Sequence, residues 1–206
     1  AESGVTVPMA RVHRLIGKSG DDLLDELADG PDERISRAHA RHFRESRALI
    51  HALPGARGLL QRVHDEGHMV VIVTSAEEEE LELLLAPLGC ESLLDEIVHG
   101  EAVDAAKPAP DLFDQALSRT SLSPDRVVTV GDTGWDVEAA HRADIACVGV
   151  ETGGVAACEL LEAGADAVYA SCAALLEDYE RSPLGTLGQP GVTEGTQETQ
   201  EKGQSR

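Results

Sequence analysis

Short apolar runs alternate with amphipathic segments along most of the chain after residue 53. Five of these runs are predicted to be buried strands, at residues 69–73, 96–99, 127–130, 145–150 and 167–169. The segments between them carry apolar residues at helical spacing, as helices that connect parallel strands do. The pattern therefore predicts an α/β domain with a parallel sheet over residues 53–184.

The first 52 residues show no comparable strand. Pro8 suits the first turn of a helix that continues to Ile16, and Gly17 ends it. A second short helix is predicted around residues 23–27, and a longer one runs from residue 32 to about 52, with arginines along much of its polar face. Residues 1–52 are therefore predicted to form a small all-helical unit.

The end of the chain has a different composition. Residues 185–206 consist mainly of Gly, Thr, Gln, Glu and Ser, with few apolar residues. Such a segment cannot bury enough surface to offset its conformational entropy, so we predict a disordered tail.

Composition narrows the functional classes. The chain is 42% hydrophobic, which is enough for a core, and its formal net charge of -21 disfavours nucleic acid and anionic membranes as partners. No apolar stretch approaches the roughly 20 residues of a membrane span, and no signal peptide is visible. The four cysteines form no C-x-x-C pair and are predicted to be small buried hydrophobes in a reducing compartment. We expect a cytoplasmic protein, and the composition favours no particular oligomeric state.

Two carboxylates follow the strand at residues 127–130. Asp132 comes directly after Gly131, and Asp136 lies one helical turn further on. Ligands of open α/β sheets bind at the carboxyl ends of strands, and paired carboxylates suit Mg²⁺. Thr133 and Asp136 also fit a helix capping box, so a metal site and a capped helix are both consistent with this segment.

Polar residues also follow other predicted strands. Thr74 and Ser75 come directly after the strand at residues 69–73, where a turn or cap residue is common. Lys107 precedes Pro-Ala-Pro and is the only lysine between Lys18 and Lys202 in a chain that otherwise uses arginine. A compact ammonium group is therefore a candidate for a specific role at this position.

In this order and spacing, these residues resemble the motifs of the haloacid dehalogenase-like hydrolases. Thr74 matches the family's Thr or Ser at the end of an apolar strand, Lys107 matches its Lys-Pro-x-Pro motif, and Gly131, Asp132 and Asp136 match Gly-Asp-x-x-x-Asp. The resemblance covers about residues 1–180. It implies a three-layer Rossmann-like fold in which residues 1–52 are the helical cap and residues 53–184 the core.

The resemblance also implies roles for the matched residues in phosphoryl transfer. Lys107 would neutralise phosphate charge and orient the nucleophile, while the Thr74 hydroxyl and the Ser75 amide would bind phosphate oxygens. Asp132 would bind Mg²⁺, with Asp136 as a second ligand or as a partner that orients the first. Residues 11–20 resemble the part of the cap that faces the active site. Substrate contacts from the cap are accordingly expected from His13, Arg14 and Lys18.

One motif of the family has no match. The first core strand of the family ends in Asp-x-Asp, whose first Asp is the nucleophile and whose second is the general acid and base, and this chain contains no Asp-x-Asp. The resemblance therefore implies that the central strand and the nucleophile lie upstream of Ala1.

The expected function is that of a Mg²⁺-dependent phosphatase of small phosphorylated metabolites, similar to a phosphoglycolate phosphatase. Without its nucleophile the chain as given is expected to be inactive. Two alternatives stay open, a catalytically inactive remnant or binding protein and a relative of the sugar phosphomutases. A haloacid dehalogenase fits less well, because that chemistry needs no metal and leaves Asp132 and Asp136 without a role.

Overall fold

The computed structural model describes residues 6–28, 30, 32–100, 105 and 107–188. Its first part is helical, as predicted, and consists of α1 (Met9–His13), α2 (Gly20–Ala28), α3 (Glu33–Glu45) and the 3₁₀ turn Ser46–Leu49. The helix predicted over residues 32–52 ends early, at Glu45, because the backbone tightens into the 3₁₀ turn Ser46–Leu49 and becomes extended at Ile50.

Helices and strands then alternate along the chain. The elements are α4 (Ala56–Asp65), β1 (Val71–Val73), α5 (Glu78–Leu85), β2 (Glu96–Val98), α6 (Asp111–Thr120), β3 (Val128–Gly131), α7 (Gly134–Arg142), β4 (Ala146–Val150), α8 (Ala157–Glu162), β5 (Ala167–Tyr169) and α9 (Cys172–Glu177). Short 3₁₀ turns occur at Glu91–Leu93, Pro124–Arg126, Glu151–Gly153 and Tyr179–Arg181. All five predicted strands are confirmed, each within two residues of its predicted bounds.

The strands form two parallel ladders. β1 pairs with β2, and β4 lies between β3 and β5. Within the described residues, β1 and β3 do not pair with each other, and both line one cavity of about 1490 Å³. The predicted fold class, a parallel α/β sheet, is confirmed, and the described residues contribute no strand between β1 and β3.

Two hydrophobic clusters cover the two faces of the β3–β4–β5 ladder. Cys147 of β4 packs with Val137 and Leu160, from α7 and α8, on one face. Val148 packs with Leu175 and other residues from α4 and α9 on the opposite face. Neighbouring residues of β4 thus point to opposite sides, as the period of a strand requires, and the helices form the outer two of three layers.

The cysteines differ from the prediction in part. Cys90 and Cys147 are fully buried, and burial raises the pKa of the Cys147 thiol to about 12. The prediction is wrong for Cys158, which is exposed, and Cys172 is half-buried. α8 turns Leu160 into the core, and residues two positions apart on a helix lie on different faces, so Cys158 faces solvent.

The last described residues continue the fold beyond the predicted start of the tail. Leu184 is buried, and the Thr186 backbone N–H donates to the Ser182 carbonyl at 3.2 Å. The rest of the predicted tail, residues 189–206, lies outside the described residues. In the part that is described, no helix is both long and apolar enough to cross a bilayer.

Candidate active site

The turn from β3 into α7 brings two carboxylates to the carboxyl edge of the sheet. β3 ends at Gly131, and a Cβ atom on Gly131 would lie 2.3 Å from the Cβ of Asp136. Only glycine therefore lets the first turn of α7 fold back so closely over the end of the strand. This close approach explains the Gly-Asp-x-x-x-Asp spacing in physical terms.

Thr133 and Asp136 form the capping box that the sequence predicted. The Thr133 backbone N–H donates to Asp136 Oδ2 at 3.1 Å, and the Thr133 hydroxyl donates to the same oxygen at 2.7 Å. In return, the Asp136 backbone N–H donates to Thr133 Oγ1 at 3.4 Å. One oxygen of the Asp136 carboxylate is thus committed to starting the helix.

The other oxygen of Asp136 binds Lys107. The Lys107 ammonium lies 2.7 Å from Asp136 Oδ1, and the two side chains are only 8% and 13% exposed. The same ammonium lies 3.5 Å from the Val73 carbonyl at the end of β1. Lys107 therefore links the carboxyl edges of the two ladders.

Charge and burial shift the pKa values of the two carboxylates in opposite directions. Burial alone would raise the pKa of Asp136, but the ion pair with Lys107 and the hydrogen bonds from Thr133 outweigh it, and the pKa is lowered. Burial, followed by repulsion from Asp136, raises the pKa of Asp132. Asp132 is thus the carboxylate that still needs a positive partner.

The donor set fits Mg²⁺ with Asp132 as the direct ligand. Both Asp136 oxygens already hold hydrogen bonds, so this residue is better suited to orienting its neighbours. The described residues contain no group of three or more acidic, His or Cys side chains that could enclose a metal. Mg²⁺ commonly takes only one or two protein carboxylates and completes its shell with water and phosphate oxygens, so this set is sufficient.

The residues after β1 supply hydrogen-bonding groups to the same cavity. The Thr74 hydroxyl accepts a hydrogen bond from the Ala76 N–H at 3.1 Å, which holds the turn in shape. The Ser75 hydroxyl is buried and has no hydrogen-bond partner. Both residues line the cavity of about 1490 Å³, together with Lys107, Asp132 and Asp136. The structure thus brings together all five core residues that the sequence singled out.

The three residues predicted to contact substrate from residues 1–52 divide between two cavities. Lys18 lines the large cavity and is ion-paired with Glu26. His13 and Arg14 line a neighbouring cavity of about 650 Å³.

Sequence reasoning missed Trp135, which lies on the wall of the smaller cavity and whose indole N–H donates to the Arg14 carbonyl. A signal was present, because the single tryptophan of the chain lies inside the Gly-Asp-x-x-x-Asp segment.

Comparisons with known proteins identify the family of the chain. The family model described as haloacid dehalogenase-like hydrolase matches residues 1–150. A phosphoglycolate phosphatase of Pasteurella multocida (strain Pm70) is 26% identical over 137 residues, which cover 66% of this chain and 59% of that protein. A phosphorylated carbohydrates phosphatase of Thermotoga maritima is 31% identical over 120 residues, which cover 58% of this chain and 56% of that protein. The chain thus spans little more than half the length of these relatives.

Solved structures support the same fold. The crystal structure of a hydrolase from Pseudomonas syringae has a TM-score of 0.81 and 31% identity, with 87% of this chain and 86% of that one covered. A putative β-phosphoglucomutase from Bacteroides vulgatus has a TM-score of 0.77 at 20% identity, covering 91% of this chain and 79% of that one. At 20% identity, the similarity to the Bacteroides vulgatus structure shows a shared fold and nothing further.

Proposed function

Because the chain belongs to the haloacid dehalogenase-like hydrolases, we propose that this protein is a Mg²⁺-dependent phosphatase of small phosphorylated metabolites. The observation that carries the proposal is the buried pair of Lys107 and Asp136 beside Asp132, on a cavity that Thr74 and Ser75 also line. Phosphoryl transfer requires fixed positive charge and hydrogen-bond donors around phosphate oxygens, and these residues supply both.

Each residue has a role that its contacts support. The Lys107 ammonium neutralises charge on the phosphoryl group, and Asp136 holds that ammonium in place. The Thr74 hydroxyl and the Ser75 amide bind phosphate oxygens, and the unpartnered Ser75 hydroxyl is a further donor. Asp132 would hold Mg²⁺, which when bound would neutralise charge on the phosphoryl oxygens.

The nucleophile is proposed to come from a strand that is not part of residues 1–206. In this proposal the strand lies in the cavity between β1 and β3 and ends beside Lys107. A carboxylate oxygen of its first Asp attacks phosphorus, the bond from phosphorus to the substrate oxygen breaks, and the second Asp protonates the leaving oxygen. Water then hydrolyses the aspartyl-phosphate and releases inorganic phosphate. The absence of Asp-x-Asp from the sequence supports this division.

The relatives support a substrate class. Those named phosphoglycolate phosphatase and phosphorylated carbohydrates phosphatase act, by their names, on small organic phosphates. We propose the same class here, with phosphoglycolate-like compounds first, and Lys18 as the cap residue that contacts the substrate. His13 and Arg14 are kept as weaker candidates for such contacts. The four free cysteines support a cytoplasmic location.

The test compares residues 1–206 with a longer form that includes the upstream strand. Both are assayed with an aryl phosphate and Mg²⁺, and turnover is expected in the longer form alone. In the longer form, Asp132→Asn is expected to abolish metal-dependent turnover, whereas the exposed Asp125→Asn serves as its matched control and leaves turnover unchanged. Full activity of Asp132→Asn would remove this residue from the site, and turnover by residues 1–206 would show that the nucleophile lies within them.

A second candidate is a catalytically inactive binding protein, favoured by the absence of Asp-x-Asp from the chain. The same assay separates the two. Activity in neither form, combined with binding of inorganic phosphate that Lys107→Met removes, supports the binding protein.

A further inference from the structure

The cap meets the core at a short loop that rests on the turn before α7. This cap loop, residues 14–18, approaches so closely that a Cβ atom on Gly17 would lie 2.8 Å from Thr133 Oγ1 and 3.2 Å from Trp135 Cδ1. Gly17 also has a φ of +102°, which side chains rarely tolerate. The contact therefore depends on glycine for both space and backbone conformation.

Trp135 contacts both ends of the cap loop. Its indole N–H donates to the Arg14 carbonyl at 3.3 Å, and the Lys18 ammonium lies 4.5 Å from the centre of its ring. The Lys18 side chain is only 14% exposed and is also ion-paired with Glu26. An ammonium group at this distance from an indole face is attracted by the negative face of the ring.

The same tryptophan is joined to the candidate site through the backbone. Trp135 lies in the first turn of α7, directly before Asp136, and Asp136 binds Lys107. Lys18 and Lys107 line one cavity, although they are far apart in the sequence. No other lysine lies between them. Trp135 therefore holds the Lys18 ammonium beside the cavity, and the adjacent Asp136 holds the Lys107 ammonium.

We propose that Trp135 is a positioning residue that fixes the cap loop and so holds Lys18 at the wall of the cavity. Its indole N–H fixes the start of the loop, and its ring fixes the end. The expected effect on substrate binding rests on the proposed function, whereas the contact of Trp135 with residues 14–18 does not. Loss of the ring is expected to weaken binding of a substrate that reaches Lys18 and to leave the chemistry at Lys107 and Asp132 intact.

The first experiment uses residues 1–206 and needs no activity. Trp135 is the single tryptophan, so its fluorescence reports on this contact alone. Gly17→Ala is expected to shift the emission to longer wavelength and to increase quenching by acrylamide, because the added methyl group displaces the loop. Gly20→Ala is the matched control, since a Cβ there meets no atom within 4 Å.

Lys18→Met keeps an unbranched side chain only one atom shorter and removes its charge, so it tests the ring contact without a steric clash. Increased acrylamide quenching is expected, with an unchanged far-ultraviolet circular dichroism spectrum. If Lys18→Met and Gly17→Ala both behave like Gly20→Ala, Trp135 does not hold the cap loop and the proposal fails.

The second experiment measures kinetics in the longer, active form. Trp135→Ala is expected to raise KM by about three- to thirtyfold with kcat changed less than twofold, the range that corresponds to losing a cation–π contact. Trp135→Phe keeps a ring beside Lys18 but lacks the indole N–H, so it is expected to recover only the part of the loss that is due to the ring. Equal KM values in all three proteins, or a fall in kcat alone, would overturn the positioning role. If no form has activity, the proposed function fails, while the fluorescence result still decides whether Trp135 holds the loop.

Discussion

The helical region before residue 53 and the α/β region after it are stabilised in different ways. α1 and α3 contain no buried residue, whereas α7 contains three, Val137, Ala139 and Ala140. α3 depends on local interactions, such as the Asp32 carboxylate that accepts the Arg34 backbone N–H at 2.8 Å. Local caps and charge pairs therefore shape the first region, while burial of apolar surface shapes the second.

Their ion pairs differ in the same way. Arg37 and Glu33 of α3 form a pair whose side chains are 75% and 89% exposed, and the pair of Lys107 and Asp136 is 8% and 13% exposed. Water screens the first pair, so it contributes little, but removing one partner of the second leaves a buried charge. Substitutions in the two regions should therefore have very different costs.

The largest effect is expected for Lys107→Met. It leaves the buried Asp136 carboxylate without its counter-charge, and the free energy of unfolding should fall by roughly 3–5 kcal/mol. Urea unfolding at neutral pH measures the change, and Arg37→Met in the exposed pair is the control, with no measurable loss. Equal losses in the two variants would contradict the contrast between the regions.

A slightly smaller effect is expected for Leu160→Ala. Leu160 of α8 is fully buried against β4, and its truncation should cost about 2–5 kcal/mol through lost burial and the cavity left behind. The neighbouring Leu161 is 54% exposed, so Leu161→Ala should change stability little. Thermal unfolding of both variants tests whether burial or helix composition sets the stability of α8.

Asp32→Ala is expected to act locally. It removes the N-cap of α3, so helicity measured by circular dichroism should decrease while the main unfolding midpoint stays unchanged. Asp32→Asn, whose amide oxygen can still accept the Arg34 N–H, should retain most of the helicity. A fall in the main midpoint for Asp32→Ala would mean that the two regions unfold together.

The smallest effect concerns pH. Hydrogen bonds from the Arg34 side chain and backbone lower the pKa of Asp32 from 3.8 to about 2. The folded-state pKa lies below the unfolded one, so this contribution is complete above about pH 4 and is lost as pH falls through 2. A nuclear magnetic resonance titration of the Asp32 carboxyl checks this, and a midpoint near 3.8 would show that the pair is absent in solution.

Strands and site residues could be predicted because their signals are local. The run from residue 69 to 73 is continuously apolar, and the residues after it follow directly in sequence. The pairing of Lys107 with Asp136 could not be deduced, since 29 positions separate them and only the packed sheet edge brings them together. The resemblance implied that both residues belong to one site, but it did not imply that they contact each other. Trp135 was missed because its contact with Gly17 joins residues 118 positions apart, which no local sequence pattern predicts.

The cavity between β1 and β3 gives β3 two unlike edges. One edge is bonded to β4, and the other lines the cavity, whereas Val148 and Gly149 of β4 are paired on both sides. Successive amides of a strand point to alternate edges, so deuterium uptake along β3 should alternate between slow and fast residues. Uptake at Val148 and Gly149 should be slow at both residues, which would make the centre of β4 the last part of this ladder to exchange its amide protons.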